Sequence, residues 1–172
     1  EWLHHYLFFK PLGQSYWSGN NMRTINETTA NIFAREISAK IYQNLENAGL
    51  KPILINTNTP DITANIFDFS FEMRSTRLSV DELLSQDKTD EAESYMEDRR
   101  LVFLNNGYNI RKLNQAYFAF HGTYSDSPTS VSPIYSQLQN IRSSSNSLGE
   151  FIHTIANISN HESFLTLIQE PD

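Results

Sequence analysis

The chain contains no cysteine. That excludes disulfides, thiolate metal sites and cysteine nucleophiles together. It leaves the compartment open, because exported bacterial proteins often lack cysteine whereas small eukaryotic secreted domains more often carry it. Charge is scarce as well. Asp, Glu, Lys and Arg make up 19% of the 172 residues, below the roughly 25% of a typical domain. Their balance of -7 argues against a protein that grips nucleic acid by neutralising phosphates. It argues equally against a basic face docking on anionic lipid; solubility is reason enough for the acidic excess. No run approaches the ~18 apolar residues of a membrane-spanning helix. No signal peptide is visible either. The chain begins at Glu1 without a start methionine, and the expectation is that a signal or anchor precedes it. Glycine-rich phosphate loops, nucleophile elbows and kinase signatures are all missing.

With so little charge, the polar surface is built from Asn, Ser, Thr and Gln. Asparagine alone occurs 17 times. A neutral polar surface of this kind is compatible with an extracytoplasmic setting. Hydrophobic residues reach 39%, and 11 Phe and 8 Tyr supply large side-chain areas for a core. The length suffices for one domain.

Helical periodicity is sustained longest between Asp90 and Tyr124. Ala92, Tyr95, Met96, Val102, Phe103, Ile110, Leu113, Tyr117, Phe120 and Tyr124 recur at steps that keep one side of a helix apolar. Asn105-Asn106-Gly107 interrupts the stretch, yet the rhythm passes through in phase. The expectation is two consecutive helices, or one kinked helix, from about Asp90 to His121. Met96, Phe103, Leu113, Tyr117 and Phe120 are the expected core. A preceding helix from about Phe67 to Ser85 carries Met73, Arg77, Val80, Leu83 and Leu84 on one side. The turn Gln86-Asp87-Lys88, with Thr89 or Asp90 as cap, folds the two into an antiparallel hairpin.

The remaining segments read as shorter helices. Trp2, Leu3, Tyr6, Leu7 and Phe9 would share a side of an N-terminal helix, which Pro11 and Gly13 then break. Aromatics beside a lysine also mark the end of a membrane span, so residues 1–21 could adjoin a membrane. Thr24 and Glu27 have capping-box spacing ahead of a helix with Ala30, Phe33, Ile37, Ile41, Leu45 and Ala48 on its face. Gly49 is placed to stop it. Residues 51–64 read as a loop with a short extended piece at Ile53–Ile55. Ser132-Pro133 starts a helix, and Ser147/Glu150 and Ser159/Glu162 are two further capping boxes. The fold class expected is all-α: a single-domain irregular helical bundle on a central hairpin, with short C-terminal helices.

Chemistry is harder to find. No histidine pair has the i, i+4 spacing of a helical zinc site, so neither metal nor cofactor is expected. A site assembled in space from His121, His153 and Glu150 is outweighed by surface and capping roles. The acidic run from Asp87 to Asp98 lacks the alternation and glycine turn of a calcium loop and reads as a solvated helix face. Arg99, Arg100 and Arg111 flank the Asn-Asn-Gly break. Together with His121 they are the candidate ligand-binding residues, for a carboxylate or phosphate. Intrahelical pairing with Glu93 or Glu97 is the plainer use of the two first arginines. Two glycosylation sequons, at Asn26 and Asn157, are what chance gives in so Asn-rich a chain.

The stretch GYNIRKLNQAYFAFHGTYSDSP, followed by SVSPI, resembles the extracytoplasmic part of uncharacterised bacterial membrane-anchored proteins with a short N-terminal anchor. The likeness covers roughly residues 70–170. It implies a location outside the cytoplasmic membrane and transfers no activity and no site residue. The expected function is therefore a non-catalytic binding or assembly module, with a protein or small ligand as partner and no nucleic acid. The alternatives are a ligand-sensing receptor domain and a hydrolase with a site near His121 or His153.

Overall fold

The computed structural model describes residues 1–50 and 67–169. The expected 51–64 loop, with its extended piece, lies outside the described residues. Of the described residues 71% are helical, in nine helices and no strand, so the all-α class holds. In chain order the helices are α1 (Trp2–Phe8), α2 (Pro11–Gln14), α3 (Asn20–Asn47), α4 (Phe69–Ser85) and α5 (Thr89–Asn105). Then come α6 (Gln115–His121), α7 (Ile134–Ser144), α8 (Leu148–Ala156) and α9 (His161–Gln169). The chain divides into two compact units. One is Glu1–Ile53 with Thr123–Ser125 and Ser132–Asp172; the other is Leu54–Gly122 with Asp126–Val131. The chain length led to the expectation of one domain with at most a weak boundary in the 51–64 loop; the buried side chains among the described residues form two clusters, one in each unit.

In the first unit, α1 buries Leu3 and Leu7, but Trp2 and Phe9, expected on the same side, are 67% and 77% exposed. Pro11 does not break the chain for long. It occupies the first turn of α2, where a fixed φ and a missing N–H cost nothing. Gly13 sits inside α2, and a Cβ there would lie 2.0 Å from the Leu7 carbonyl oxygen. Glycine is required by that close approach of backbones, not as a breaker.

Helix α3 begins at Asn20, four residues before the expected cap. Thr24 is buried inside the helix, so Thr24 and Glu27 make no capping box. A box needs a non-helical N-cap, and Glu27 is spent elsewhere, as described below. The stop is as expected: Gly49 has φ 75°, its N–H donates to the Glu46 carbonyl at 2.9 Å, and that of Leu50 to Leu45 at 2.9 Å. This is a Schellman closure. Only the first half of α3 is packed inside, through Met22, Ile25 and Ile32; Ile41, expected on the core face, is 52% exposed.

The buried half of α3 also carries Thr24, Asn26, Thr28 and Thr29. Thr28 Oγ1 accepts the Ser125 N–H at 2.9 Å. Ser125 Oγ donates to the Ser132 carbonyl at 3.0 Å and accepts the Tyr135 N–H at 2.8 Å. Arg142 on α7 donates to both carboxylate oxygens of Glu36 on α3, at 2.7 and 2.9 Å. At α8, Ser147 Oγ accepts the Glu150 N–H at 3.0 Å, and the Glu150 carboxylate reaches back to the Asn146 N–H at 2.8 Å. At α9 the cap falls one residue later than expected: Asn160 Oδ1 accepts the Ser163 N–H at 2.9 Å, replacing the Ser159/Glu162 pair.

The second unit is built on the expected hairpin of α4 and α5, with Met73, Val80, Ala92, Met96 and Phe103 between them. Asp68 caps α4 by accepting the Phe71 N–H at 3.0 Å. Asp87 takes a positive φ of 58° in the turn, which Asp tolerates better than most residues. Thr89 and Asp90 lie in the first turn of α5, with Lys88 as N-cap and no side-chain cap. Asp90 and Glu91 there favour the positive end of the helix dipole.

Helix α5 ends at the Asn-Asn-Gly break. Gly107 has φ 87°, and the Gly107 and Tyr108 N–H groups close onto Leu104 and Phe103, both at 3.0 Å. The chain then runs non-helical to Asn114, whose Oδ1 accepts the Tyr117 N–H at 2.9 Å and starts α6. The break resets the helical phase. Phe118 is therefore the buried residue of α6, at 2% exposed, and Phe120 stands out at 70%. Tyr117 is half-buried, and burial raises its pKa.

Candidate functional site

A cleft of about 530 Å³ opens in the first unit, lined by His4 and Phe8 of α1, Phe9, Gly13 and Gln14 of the α2 region, Tyr16, Trp17, and Asn26 and Glu27 of α3. Its size is that of a small-molecule site, about 300–1,000 Å³. The floor is polar and ordered. Tyr16 donates its hydroxyl to Glu27 Oε1 at 2.6 Å. His4 Nε2 lies 3.4 Å from Glu27 Oε2, and His4 Nδ1 is 2.9 Å from Asn26 Oδ1. Asn26 is 2% exposed. The Tyr16 pKa is pushed up to about 12, first by burial, then by the hydrogen bond to Glu27 and its charge, with Arg23 opposing.

The rim is the reverse. Phe8, Phe9 and Trp17 are 69%, 77% and 80% exposed, and the Phe8 and Phe9 rings meet edge to face at 5.1 Å. The Arg23 guanidinium sits 5.1 Å from the Trp17 ring and 5.7 Å from Tyr16. Large apolar side chains normally leave water; several at one mouth mark an interaction surface.

Sequence reasoning missed this site. Residues 4, 16 and 27 share no spacing motif and meet only because α1 and α2 fold against α3. The available signal was the run Thr24, Asn26, Thr28, Thr29. At about 100° per residue these four spread around the helix instead of along one side, the pattern of a helix end enclosed on several sides, where buried polar groups need partners.

The candidate ligand-binding residues Arg99, Arg100, Arg111 and His121 all fall in the second unit but form no common site. Arg99 donates to the Glu72 carboxylate and, at 2.9 Å, to Thr76 Oγ1. Arg100 forks onto Glu97 at 2.8 and 2.6 Å, which raises its own pKa and lowers that of Glu97. Both arginines are thus engaged by carboxylates. Arg111 is exposed between α5 and α6. His121 ends α6 and packs on Tyr117, with ring centroids 4.3 Å apart. The nearby depression of about 420 Å³ holds Glu93 and Glu97 against one Lys112, a balance unsuited to an anion. His121 and His153 belong to different units, and His153 is exposed. Among the described residues no three His, Asp or Glu side chains are grouped to hold a metal, and no helix is long and apolar enough to cross a membrane. The chain matches no family model, no curated protein and no solved structure.

Proposed function

We propose that this chain is a non-catalytic helical binding module of an extracytoplasmic, membrane-anchored bacterial protein, and that it binds through the cleft of α1, α2 and α3. The observation that carries this is the ordered Tyr16–Glu27–His4 floor beneath an exposed aromatic rim. Such a pairing gives a ligand both contact area and orientation. It gives little for catalysis. Tyr16 is held protonated to high pH, and both His4 nitrogens face oxygens already, so no group stands as a free base beside a nucleophile. The location outside the cytoplasm rests on the likeness of roughly residues 70–170 to membrane-anchored proteins and on the low charge of the chain. An anion-sensing role is disfavoured by the Glu72 and Glu97 partners of Arg99 and Arg100.

The test is a small-fragment panel screened by saturation-transfer NMR against the wild type and Trp17→Ala. Fragments that bind the first and are lost in the second support the reading. Binders that survive Trp17→Ala, or no binders at all, contradict it.

A further inference from the structure

We propose that the cleft takes an alkylammonium group: a positive charge clothed in methyl or methylene groups, held against Glu27 and between aromatic faces. This rests on the cleft being the binding site. Among the described residues that line it, Glu27 is the only carboxylate, and none is a lysine or arginine. Phe8, Phe9, Tyr16 and Trp17 bring four aromatic rings to the same cleft. A ring face carries negative charge density and attracts cations within about 6 Å. The chain already uses these rings so: Arg23 lies over both Tyr16 and Trp17. Trp17 nevertheless remains 80% exposed, so ring surface is left for a second cation.

The hydrogen bonding at the floor narrows the class. Tyr16 takes one lone pair of Glu27 Oε1, and His4 faces Oε2. A guanidinium or primary amine that needs those oxygens must compete with both side chains. A quaternary or heavily alkylated ammonium needs no hydrogen bond; charge and contact suffice. An anion would meet the Glu27 charge, and a neutral apolar ligand would cover that carboxylate, whose side chain is already only 13% exposed, without countering its charge.

The experiment titrates the full chain with choline and with 3,3-dimethylbutan-1-ol, which has the same shape with carbon in place of the charged nitrogen, by isothermal titration calorimetry at constant ionic strength. Choline should bind roughly tenfold or more tightly than the alcohol. Glu27→Gln keeps an oxygen for Tyr16 and should erase that preference. Trp17→Ala, at an exposed position, should weaken choline several-fold without lowering the melting temperature. Equal affinity for the two probes would overturn the charge assignment and leave the cleft a binding site. If neither binds, the cleft reading fails with it. Vesicles separate two sources of the group. Sedimentation with phosphatidylcholine that Glu27→Gln abolishes assigns it to a lipid headgroup. Choline binding without sedimentation assigns it to a soluble ligand or a side chain.

Discussion

Phe103 and Phe120 have the same side chain in the same unit, and periodicity places both in the core. The structure separates them. Phe103 is fully buried, its ring meeting Phe67 and Phe69 at centroid distances of 5.7 and 5.4 Å, with the Arg99 guanidinium 5.5 Å away. Truncation to alanine removes the transfer term and leaves a hole between α4 and α5, at a cost of about 3–5 kcal/mol. Phe120 is 70% exposed. Under a third of its area leaves water on folding, so of the ~2–3 kcal/mol for a fully buried Phe it contributes below about 1 kcal/mol. The assay is urea unfolding followed by far-UV circular dichroism, with midpoints compared at equal m-value. Equal losses at the two positions would mean that α6 continues the stripe of α5 through the Asn-Asn-Gly break. A loss below about 1 kcal/mol at Phe103 would remove that residue from the core altogether.

Tyr16 should ionise late. Its folded pKa of about 12 lies above the ordinary ~10, so its contribution to stability is complete below pH ~10 and is lost as pH rises through about 12. The difference in absorbance at 295 nm between wild type and Tyr16→Phe should show one late step, and a step near pH 10 would refute it. Gly13→Ala should destabilise the first unit. The overlap with the Leu7 carbonyl costs typically ~1–3 kcal/mol, against about 1 kcal/mol gained in helix propensity. Gly149→Ala in α8, where the added carbon meets only Ser147 Oγ at 3.7 Å, is the control and should raise the melting temperature; equal effects of the two would show that the α1–α2 contact is looser than described. Ser147→Ala removes the cap of α8 and should cost about 1 kcal/mol in the same melts, no change meaning that the cap is idle.

Helix ends were legible where the determinants are local. Gly49, Gly107 and Ser147 act through bonds within a few residues of themselves, so composition and spacing suffice. Thr24 and Ser159 have similar spacing and fail. At Thr24 the helix begins a turn earlier and tertiary partners claim the side chains; at Ser159 the neighbouring Asn160 is the better-placed acceptor. Phe120 was misplaced for a different reason. Periodicity carries no information across a non-helical segment, and residues 107–114 rotate the next helix out of phase. The cleft was illegible because His4, Tyr16 and Glu27 come from separate elements and none stands in a motif. Arg99, Arg100, Arg111 and His121 drew notice as polar residues beside a break, and the carboxylates that occupy the first two were visible for Glu97 but not for Glu72, which lies on the partner helix of the hairpin.

The cleft as binding site is tested most directly by the indole region of a proton–nitrogen correlation spectrum of the full chain. Its two tryptophans give two indole signals. Trp17 lines the cleft; Trp2 lies outside its lining and stacks on Tyr6 and Phe33 at 6.1 and 5.6 Å, so it serves as an internal control. On titration with choline, with sodium chloride as the ionic control, the Trp17 signal should move to saturation while that of Trp2 stays, and Glu27→Gln should shift the midpoint of that movement to roughly tenfold higher choline. A Trp17 signal that never moves, or two signals that drift together, would contradict the account.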